Sequence, residues 1–438
     1  MPSFDVFGQP TDDDPIPFAG PDQLVLHGFV NAHSHAFQRA LRGRVENRPP
    51  AALGAEQSRD DFWSWRTAMY ADAAKVSPDD VEALATWAYA DMVRSGFTTV
   101  GEFHYLHHDV DGAPYAQPEM SLALARAART VGIRLMLLET AYARGGVDKP
   151  LTSTQRRFAF PAPDTFLAHV DRVRGALADH PEVHVGLAIH SVRACPRDWI
   201  EEVALRAAAL SAPLHVHACE QRKELDECRF EHGLSPIALL LETGALSPST
   251  TIVHGTHVEA SDIAHMESMR PTVCVTPSTE RNLGDGLCPI LDLQNAGVDI
   301  CIGTDSHARI DLVDELRSLE DHERLRTERR NVLLAPGQRL HDVLIPCGAR
   351  NGLLALDLLT DDSVAGDRVA IAMPIEGRAG GASVGLDAWL VGGSGRDVRK
   401  VRVGQRLVVD DGKLVGVDEA EVEAKALAVL AKLTGSTG

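Results

Sequence analysis

The chain has 438 residues and a net charge of −19, with 44% hydrophobic and 24% charged residues. This length exceeds the limit of about 250 to 300 residues for one hydrophobic core, so it predicts a large domain plus a small module, and the hydrophobic content excludes a disordered chain. The acidic balance argues against non-specific binding to nucleic acid or to anionic membranes, because both require clustered Lys and Arg.

The cysteines and the N-terminal segment predict a cytoplasmic protein. Seven cysteines, an odd number without any C-x-x-C pair, disfavour a disulfide framework and a cysteine-built zinc site. Residues 1–22 are polar and lack the basic and apolar regions of a secretory signal. No run approaches the roughly 18 apolar residues of a membrane span. We therefore expect a reducing compartment and no membrane partner.

The first predicted strand covers residues 24–30, an apolar run interrupted only by His27 and Gly28. It leads into His33-Ser34-His35, whose two histidines face the same side because side chains of an extended backbone alternate. Such a pair can share a metal ion, although an isolated H-x-H is more often a surface or core pair. Residues 44–61, with two prolines and small residues, are predicted to form a loop before an aromatic segment.

Strands and helices then alternate along the chain. Ser77 and Pro78 predict the start of a long helix and Gly96 its end. Counting from residue 24 gives eight strand runs, at residues 24–30, 98–103, 133–140, 183–190, 213–219, 251–254, 272–276 and 298–304. Runs that are apolar on both faces are typical of parallel strands covered by helices. The pattern predicts an α/β protein built on a (β/α)8 barrel of TIM type, with the active site at the C-terminal ends of the strands.

The pattern changes after residue 360. Short strand-like runs follow at residues 368–373, 388–391 and 406–415, with a hairpin signal at Asp410-Asp411-Gly412-Lys413, and an alanine-rich helix is predicted at 419–433. We expect a small β-sandwich-like module from the chain termini. The predicted regions are 1–27, a short and truncated contribution to that module; 28–360, the barrel; and 361–438, the rest of the module with the terminal helix.

Polar residues gather at the predicted C-terminal ends of the strands. They are His33 and His35 (first strand), His190 (fourth), His217 and Glu220 (fifth), His254 (sixth) and Asp305 (eighth). Catalytic residues of barrel enzymes come from the ends of several strands, whereas unrelated core histidines would not cluster there. Three imidazoles and a carboxylate match the preferences of Zn²⁺ or, less selectively, Fe²⁺, Ni²⁺ or Mn²⁺. The predicted metal ligands are His33, His35, His217 and Asp305.

One metal ion is favoured over two. Binuclear hydrolases on this scaffold need a bridging carboxylated lysine, and the only lysine between Lys75 and Lys223 is Lys149, in a glycine-rich loop. Taken alone, His217 is better explained as a core histidine. The histidines at 104, 107 and 108 crowd one loop, so supporting or surface roles are favoured over a second metal site.

Eight segments, at residues 33–40, 62–66, 101–109, 190–193, 217–221, 253–257, 279–286 and 303–307, carry a family resemblance. Together they resemble the amidohydrolase superfamily and, within it, the formimidoylglutamate deiminases, chiefly through Phe62-Trp63-Ser64-Trp65-Arg66 and Glu102-Phe103-His104-Tyr105. The resemblance implies that the four predicted ligands hold one zinc ion. It also implies that Glu220 shuttles protons and that His254 orients water or substrate. Independently of the resemblance, Asp305 can take a proton from the attacking water because it lies near the metal.

The resemblance further implies hydrolysis of N-formimino-L-glutamate to N-formyl-L-glutamate and ammonia by a metal-activated water. The substrate is then a small dicarboxylate, and the implied binding residues are Arg66 and Arg193 for the carboxylates, Gln38 and Tyr105 as neutral donors, and His190 near the amidine. Arginine suits a carboxylate because its planar fork makes two parallel charge-assisted hydrogen bonds.

Several alternatives are open at this stage. Arg66 can instead stack on Trp63 or Trp65, and Arg193 can pair with the nearby Asp198. The same metal chemistry would also suit a deaminase of a heterocycle such as guanine, cytosine or a triazine. A catalytically silent barrel that acts as a scaffold is a third function. The family resemblance also allows a homodimer.

Overall fold

The structure is a computed structural model that describes residues 19–20, 22–47 and 60–435. Much of the predicted loop at 44–61 and most of the N-terminal segment lie outside the described residues. Within the described part, the strands are β1 (Gln23–His27), β2 (Phe29–Ser34), β3 (Phe97–His104), β4 (Arg134–Ala141), β5 (Val183–Ser191), β6 (Leu214–Ala218), β7 (Thr250–His254), β8 (Thr272–Val275), β9 (Asp299–Ile302), β10 (Arg368–Ala372), β11 (Val398–Val403), β12 (Arg406–Asp410) and β13 (Lys413–Leu414).

The helices lie mainly between these strands. They are α1 (Phe62–Ala73), α2 (Pro78–Ser95), α3 (Glu119–Val131), α4 (Pro163–Ala176), α5 (Arg197–Leu210), α6 (Arg222–His232), α7 (Pro236–Glu242), α8 (Ala260–Met269), α9 (Pro277–Leu283), α10 (Ile290–Asn295), α11 (Leu312–Thr327), α12 (Leu340–Gly348), α13 (Arg350–Ala355), α14 (Ile375–Gly380), α15 (Ala382–Gly392) and α16 (Glu419–Thr434). Short 3-10 helices span Ala36–Leu41, Thr154–Arg157, Asp362–Val364 and Gly395–Asp397. No helix in the described ranges is both long enough and apolar enough to cross a membrane.

Strands β2 to β9 pair in sequence order as one eight-stranded parallel sheet. The sheet closes where the carbonyl oxygen of His33 accepts the N–H groups of Thr304 at 3.1 Å and Asp305 at 3.0 Å. Every residue of β3 and β4 is buried, as expected for strands covered by helices on one face and barrel core on the other. The predicted (β/α)8 barrel is confirmed.

The predicted strand at residues 24–30 is two strands that meet at Gly28. β1 pairs antiparallel with β10 in a second sheet, whereas β2 is the first barrel strand. A Cβ atom at Gly28 would lie 2.3 Å from Thr98 Oγ1 and 2.6 Å from Asp367 Cβ. Only glycine fits this close approach, so the chain crosses from the small sheet to the barrel there.

The second sheet has the order β1-β10-β11-β12-β13 and takes strands from both ends of the chain. This confirms the small β module from the chain termini, while the exact region boundaries stay a prediction. The hairpin signal is also borne out, because Asp410 pairs with Lys413. Between them Asp411 and Gly412 adopt left-handed backbone angles, with φ of 46° and 74°, as the tight hairpin turn requires.

One strand prediction in the C-terminal region is wrong. Residues 388–391 belong to helix α15, in which Leu386, Trp389 and Leu390 are fully buried against the barrel-side helices. Their spacing of three and four residues is helical, and a four-residue apolar run cannot distinguish a strand from a buried helix turn. The strand actually present is β11, which the sequence analysis did not identify.

A fully buried arginine connects helix α1 to the barrel through hydrogen bonds. Arg157 donates from one guanidinium nitrogen to the carbonyl of Ala73, from another to Val76 at 3.0 Å, and from Nε to His108 at 3.1 Å. These three carbonyls lie at the end of α1, in the connection to α2 and in the loop after β3. The arginine therefore fixes the position of α1 over the C-terminal ends of the strands.

Candidate active site

The four predicted metal ligands lie together at the C-terminal ends of β2, β6 and β9. His33 Nε2 lies 3.1 Å from His217 Nε2, and one nitrogen from each of His33, His35 and His217 lies within 4.8 Å of the others. Asp305 Oδ1 completes the cluster, at 3.4 Å from His33 Nε2 and 3.3 Å from His35 Nε2. The barrel closure between β2 and β9 brings the two strand ends into contact.

The protonation of the imidazoles fits a metal ion. His35 Nδ1 lies 2.8 Å from the carbonyl of Phe103, and His217 Nδ1 lies 2.9 Å from the carbonyl of His190. A carbonyl only accepts, so both Nδ1 atoms carry the proton and both Nε2 atoms present lone pairs. Burial also lowers the pKa of His33 to about 3, which keeps that ring neutral near pH 7. Converging lone pairs beside a buried carboxylate form a donor set that suits a divalent cation.

The backbone is strained where the polar residues leave the strands. His254, at the end of β7, has φ of 76°; Asp305, after β9, has φ of 47°; and Cys219, after β6, has φ of 57°. Left-handed angles at non-glycine residues cost on the order of 1–3 kcal/mol each and occur preferentially at functional sites. The strain accompanies a sharp turn of the chain at three strand ends, and Glu220, His254 and Asp305 all line one cavity.

Glu220 and His254 form a charged pair beside the ligand cluster. Glu220 Oε1 lies 3.8 Å from His254 Nε2, while His254 Nδ1 lies 3.2 Å from Thr276 Oγ1 and 3.5 Å from Glu280 Oε1. Burial by itself would lower the pKa of His254, but the charge of Glu220, the hydrogen bond that His254 donates to Glu280, and the charge of Asp305 raise it to about 10. The imidazole is therefore a cation held between two carboxylates. The sequence analysis included Glu280 in a family segment but assigned it no role.

A cavity of about 40 Å³ joins the site residues. Its lining consists of His35, Gln38, Phe62, Trp65, Arg66, Met69, Tyr70, Tyr105, His190, Arg193, His217, Glu220, His254, Leu283 and Asp305. Of the predicted site residues, only His33 is absent from this lining. The space holds a few water molecules, so a larger substrate requires outward displacement of half-buried side chains such as Trp65.

Arg66, on helix α1, makes the aromatic contact that the sequence left open and also reaches the cavity. Its guanidinium carbon lies 4.5 Å from the ring centroid of Trp63 and 5.4 Å from that of Tyr70. The same side chain lines the cavity. Within residues 19–20, 22–47 and 60–435, no carboxylate makes an ion pair with it. Aromatic stacking thus holds a guanidinium at the cavity without neutralising its charge.

Arg193, after β5, is buried among carboxylates. Its Nη2 lies 3.4 Å from Glu220 Oε2 and its Nε lies 3.8 Å from Glu224 Oε2. Its ion-pair partners in the described chain are therefore these two glutamates rather than Asp198. Burial raises the pKa of Glu224 to about 7. Arg193 connects the cavity to helix α6 and touches the proposed proton carrier.

The remaining predicted binding residues meet at the same wall of the cavity. Gln38 donates from Nε2 to the Tyr105 hydroxyl at 2.9 Å, and its Oε1 is buried without a hydrogen-bond partner among the described residues. His190 packs edge-on against Tyr105, with ring centroids 5.2 Å apart, and its Nδ1 lies 3.1 Å from Ser191 Oγ. Gln38 therefore offers a free acceptor to a ligand with N–H groups.

A second cluster of histidines lies away from this cavity. Glu139 Oε1 accepts from Ser121 Oγ at 2.6 Å, and Glu139 Oε2 lies 3.1 Å from His169 Nε2 and 3.4 Å from His107 Nδ1. These side chains are buried, as are His104 and His108, so of the two roles expected for the loop histidines the surface role is excluded and the supporting role is left. Neighbouring hydrogen-bonding groups already satisfy both oxygens of Glu139.

Comparison with known proteins agrees with this geometry. A model of the amidohydrolase family matches residues 24–338. The formimidoylglutamate deiminase of Pseudomonas aeruginosa is 38% identical, with 90% of this chain and 87% of the relative covered. A 5-methylthioadenosine/S-adenosylhomocysteine deaminase of Haloarcula marismortui is 28% identical, with 70% and 65% covered.

A solved structure shares the whole architecture. The crystal structure of an amidohydrolase from Brucella melitensis superimposes with a TM-score of 0.86 and 35% identity, covering 95% of this chain and 92% of the other. The family match spans the barrel strands and the predicted ligands. These findings confirm the resemblance inferred from the sequence segments. The chain belongs to the amidohydrolase family and is a homologue of formimidoylglutamate deiminase.

Proposed function

We propose that this chain hydrolyses N-formimino-L-glutamate to N-formyl-L-glutamate and ammonia. The observation that carries the proposal is the guanidinium of Arg66, which has no ion-pair partner in the described part of the chain and shares one cavity with a donor set for a metal ion. A stacked arginine without a carboxylate partner is ready to receive an anionic ligand. The 38% identity to the formimidoylglutamate deiminase of Pseudomonas aeruginosa supports the same substrate.

The proposed metal is a single Zn²⁺ held by His33, His35, His217 and Asp305. Bound there, it would lower the pKa of water to about 7 and so supply a nucleophile at neutral pH. The hydrogen bonds from His35 Nδ1 to the Phe103 carbonyl and from His217 Nδ1 to the His190 carbonyl leave both Nε2 atoms free to bind such an ion. These buried hydrogen bonds orient the ligand side chains before any metal ion binds.

Two carboxylates and one imidazole move the protons in this proposal. Asp305 Oδ1 lies among the ligand nitrogens and accepts a proton from the attacking water. Glu220, whose carboxyl pKa is raised by burial, takes up a proton that comes from the attacking water and delivers it to the leaving nitrogen, which departs as ammonia. His254, a cation between Glu220 and Glu280, donates to the oxygen of the attacking water and orients it.

The substrate end of the cavity matches the two chemical groups of N-formimino-L-glutamate. Gln38 Oε1, buried and without a described partner, accepts from an amidine N–H, and His190 lies next to it at the same wall. Arg66 and Arg193 bind the carboxylates, with each charged hydrogen bond worth about 1.5–3 kcal/mol. Tyr105 holds Gln38 in place.

The test measures ammonia release and identifies the products by mass spectrometry. We expect ammonia and N-formyl-L-glutamate in equal amounts from the purified protein loaded with Zn²⁺. Formamide plus glutamate would show that the other C–N bond breaks, and absence of turnover would reject the substrate. Guanine, cytosine and a triazine are assayed in parallel, and turnover of one of them would favour a heterocycle deaminase. A protein without activity and without bound transition metal would favour a silent scaffold.

The cellular setting is part of the proposal. All seven cysteines are free and buried, which supports a reducing, cytoplasmic compartment. The net charge of −19 supports a small-molecule substrate over nucleic acid as the partner.

A further inference from the structure

Two tyrosines and a glutamine form a polar triad at the edge of the cavity. The hydroxyl oxygens of Tyr70 and Tyr142 lie 3.3 Å apart. Gln155 donates from Nε2 to the Tyr142 hydroxyl at 2.8 Å and to the Tyr70 hydroxyl at 3.3 Å. Gln155 Oε1 accepts from the backbone N–H of Thr152 at 2.9 Å, which fixes the orientation of the amide. These residues come from α1, from the end of β4 and from a 3-10 helix.

One hydroxyl hydrogen of this triad has no acceptor among the described residues. The amide of Gln155 uses one hydrogen on each hydroxyl oxygen, and one hydroxyl hydrogen lies between Tyr70 and Tyr142. Two hydroxyls carry two hydrogens, so the second has no acceptor within residues 19–20, 22–47 and 60–435. This hydroxyl hydrogen is therefore available to a ligand.

The spare hydrogen belongs to Tyr70. Tyr142 is 2% exposed, whereas Tyr70 is half-buried and lines the active-site cavity. When Tyr142 donates to the Tyr70 oxygen, the buried Tyr142 hydroxyl and the buried Gln155 amide have hydrogen-bond partners. The O–H of Tyr70 is then free to turn toward the cavity. The Arg66 guanidinium carbon lies 5.4 Å from the Tyr70 ring centroid, so the ring that carries this donor lies beside a positive charge that no described carboxylate pairs with.

We propose that Tyr70 binds substrate, donating its hydroxyl hydrogen to the carboxylate that Arg66 holds. An O–H donor next to a guanidinium matches an anionic acceptor, since the charged oxygen accepts from both groups. This inference rests on the proposed function and extends it. Tyr70 distinguishes substrates that carry this carboxylate from those that lack it, and Gln155 and Tyr142 keep its hydroxyl in position.

The experiment compares Tyr70→Phe with Tyr115→Phe in the Zn²⁺-loaded full chain. Tyr115 is the matched control because its hydroxyl donates to Asp109 at 3.2 Å, away from the cavity. With N-formimino-L-glutamate we expect Tyr70→Phe to raise KM by about 10-fold or more, the loss typical of a hydrogen bond to a charged group. The kcat stays within about twofold, and Tyr115→Phe leaves KM unchanged.

Two analogues separate substrate binding from a structural role. N-Formimino-4-aminobutyrate lacks the α-carboxylate, and the N-formimino derivative of L-norvaline lacks the side-chain carboxylate. We expect the effect of Tyr70→Phe to disappear with one analogue and to persist with the other. Equal effects on both analogues, or an unchanged KM for N-formimino-L-glutamate, would overturn the inference.

Thermal unfolding shows whether Tyr70→Phe folds. If it does not, a second variant tests the same inference. Gln155→Met removes the two hydrogen bonds that hold the hydroxyls but keeps Tyr70, and we expect it to raise KM with the same dependence on the analogue. Unchanged kinetics in this variant would count against the inference. Wild-type protein without turnover would overturn the proposed function together with the role of Tyr70, whereas turnover with an unaffected KM in the variants would overturn the role of Tyr70 alone.

Discussion

The backbone N–H of Asp305 donates to the carbonyl oxygen of His33 at 3.0 Å, and the N–H of His35 donates to the carbonyl of Asp305 at the same distance. The first and last barrel strands are therefore joined through the residues that supply three of the four candidate ligands. Closure of the barrel and assembly of the ligand cluster are one structural event. A chain that failed to close this contact would also lack the metal site.

The first prediction concerns metal content. We expect the wild-type protein to bind one Zn²⁺ per chain and His217→Ala to bind almost none, as measured by elemental analysis after dialysis. The kcat/KM should fall by more than about 100-fold, because even the residues that only orient metal ligands are worth 10- to 100-fold.

His169→Gln, which alters the distant histidine cluster, is the matched control and should keep one metal ion per chain. Two ions in the wild-type protein and one in His169→Gln would contradict the expectation of a single site.

The second prediction concerns proton transfer by Glu220. Glu220→Gln keeps the shape of the side chain but removes the exchangeable proton, so kcat for ammonia release should fall by about 10²- to 10⁴-fold. Metal content should not change. The control is Glu227→Gln, because Glu227 pairs with Lys149 on the outer side of helix α6. A kcat within about fivefold of the wild-type value would show that another group carries the proton.

The third prediction concerns Arg66. Arg66→Met preserves bulk but removes the charge that faces the cavity, and the loss of a charged hydrogen bond of about 1.5–3 kcal/mol lowers kcat/KM about 10- to 150-fold. The loss should appear in steady-state kinetics with N-formimino-L-glutamate. Arg126→Met is the control, since Arg126 pairs with Glu82 between α2 and α3. If Arg66→Met kept the wild-type kcat/KM for N-formimino-L-glutamate, Arg66 would not be the residue that binds a carboxylate of this substrate.

The fourth prediction concerns the pH dependence of stability. Burial raises the pKa of Glu315, on α11, from 4.5 to about 8. The native state then binds more protons than the unfolded state between these values, so this group makes stability fall as pH rises through that window. The side chain of Glu315→Gln cannot ionise. The Tm of this variant minus the Tm of the wild type should therefore increase between about pH 5 and about pH 8.5.

Differential scanning calorimetry at the two pH values provides the comparison. Gln carries no charge at either pH, so a Tm difference that stays constant would mean that Glu315 does not titrate across this range. The amide is expected to keep accepting from the backbone N–H of Ser278, which lies 3.0 Å from Glu315 Oε2.

The barrel and the ligand cluster could be predicted because their signals are local and repeated. Five of the eight strand runs end in a polar residue that could serve chemistry, so His33, His217 and Asp305 could be assigned to one end of the barrel before any contact was known. Helix α2 begins at Pro78 and ends at Ser95 as its flanking residues indicate. Where the signal was short, as at residues 388–391, the period of the hydrophobic pattern could not be determined and the prediction was wrong.

The substrate wall could be predicted only in part. Arg66 was found through a family segment, but its pairing state depends on which carboxylates fold near it. Tyr70, Tyr142 and Gln155 lie on three separate elements, so no local sequence pattern predicts the hydrogen bonds between them. Likewise Arg193 pairs with Glu220 and Glu224 rather than with Asp198, because proximity in sequence does not determine which charges approach in space.

The buried guanidinium of Arg157 has a consequence for how variants of this chain should be interpreted. It touches no residue of the metal cluster, yet its bonds to Ala73 and Val76 fix the helix that carries Arg66 and Tyr70. In a growth selection on N-formimino-L-glutamate as nitrogen source, substitutions at Arg157 should be depleted as strongly as substitutions at the ligands. A ranking of essential positions by distance from the reacting atoms would miss it.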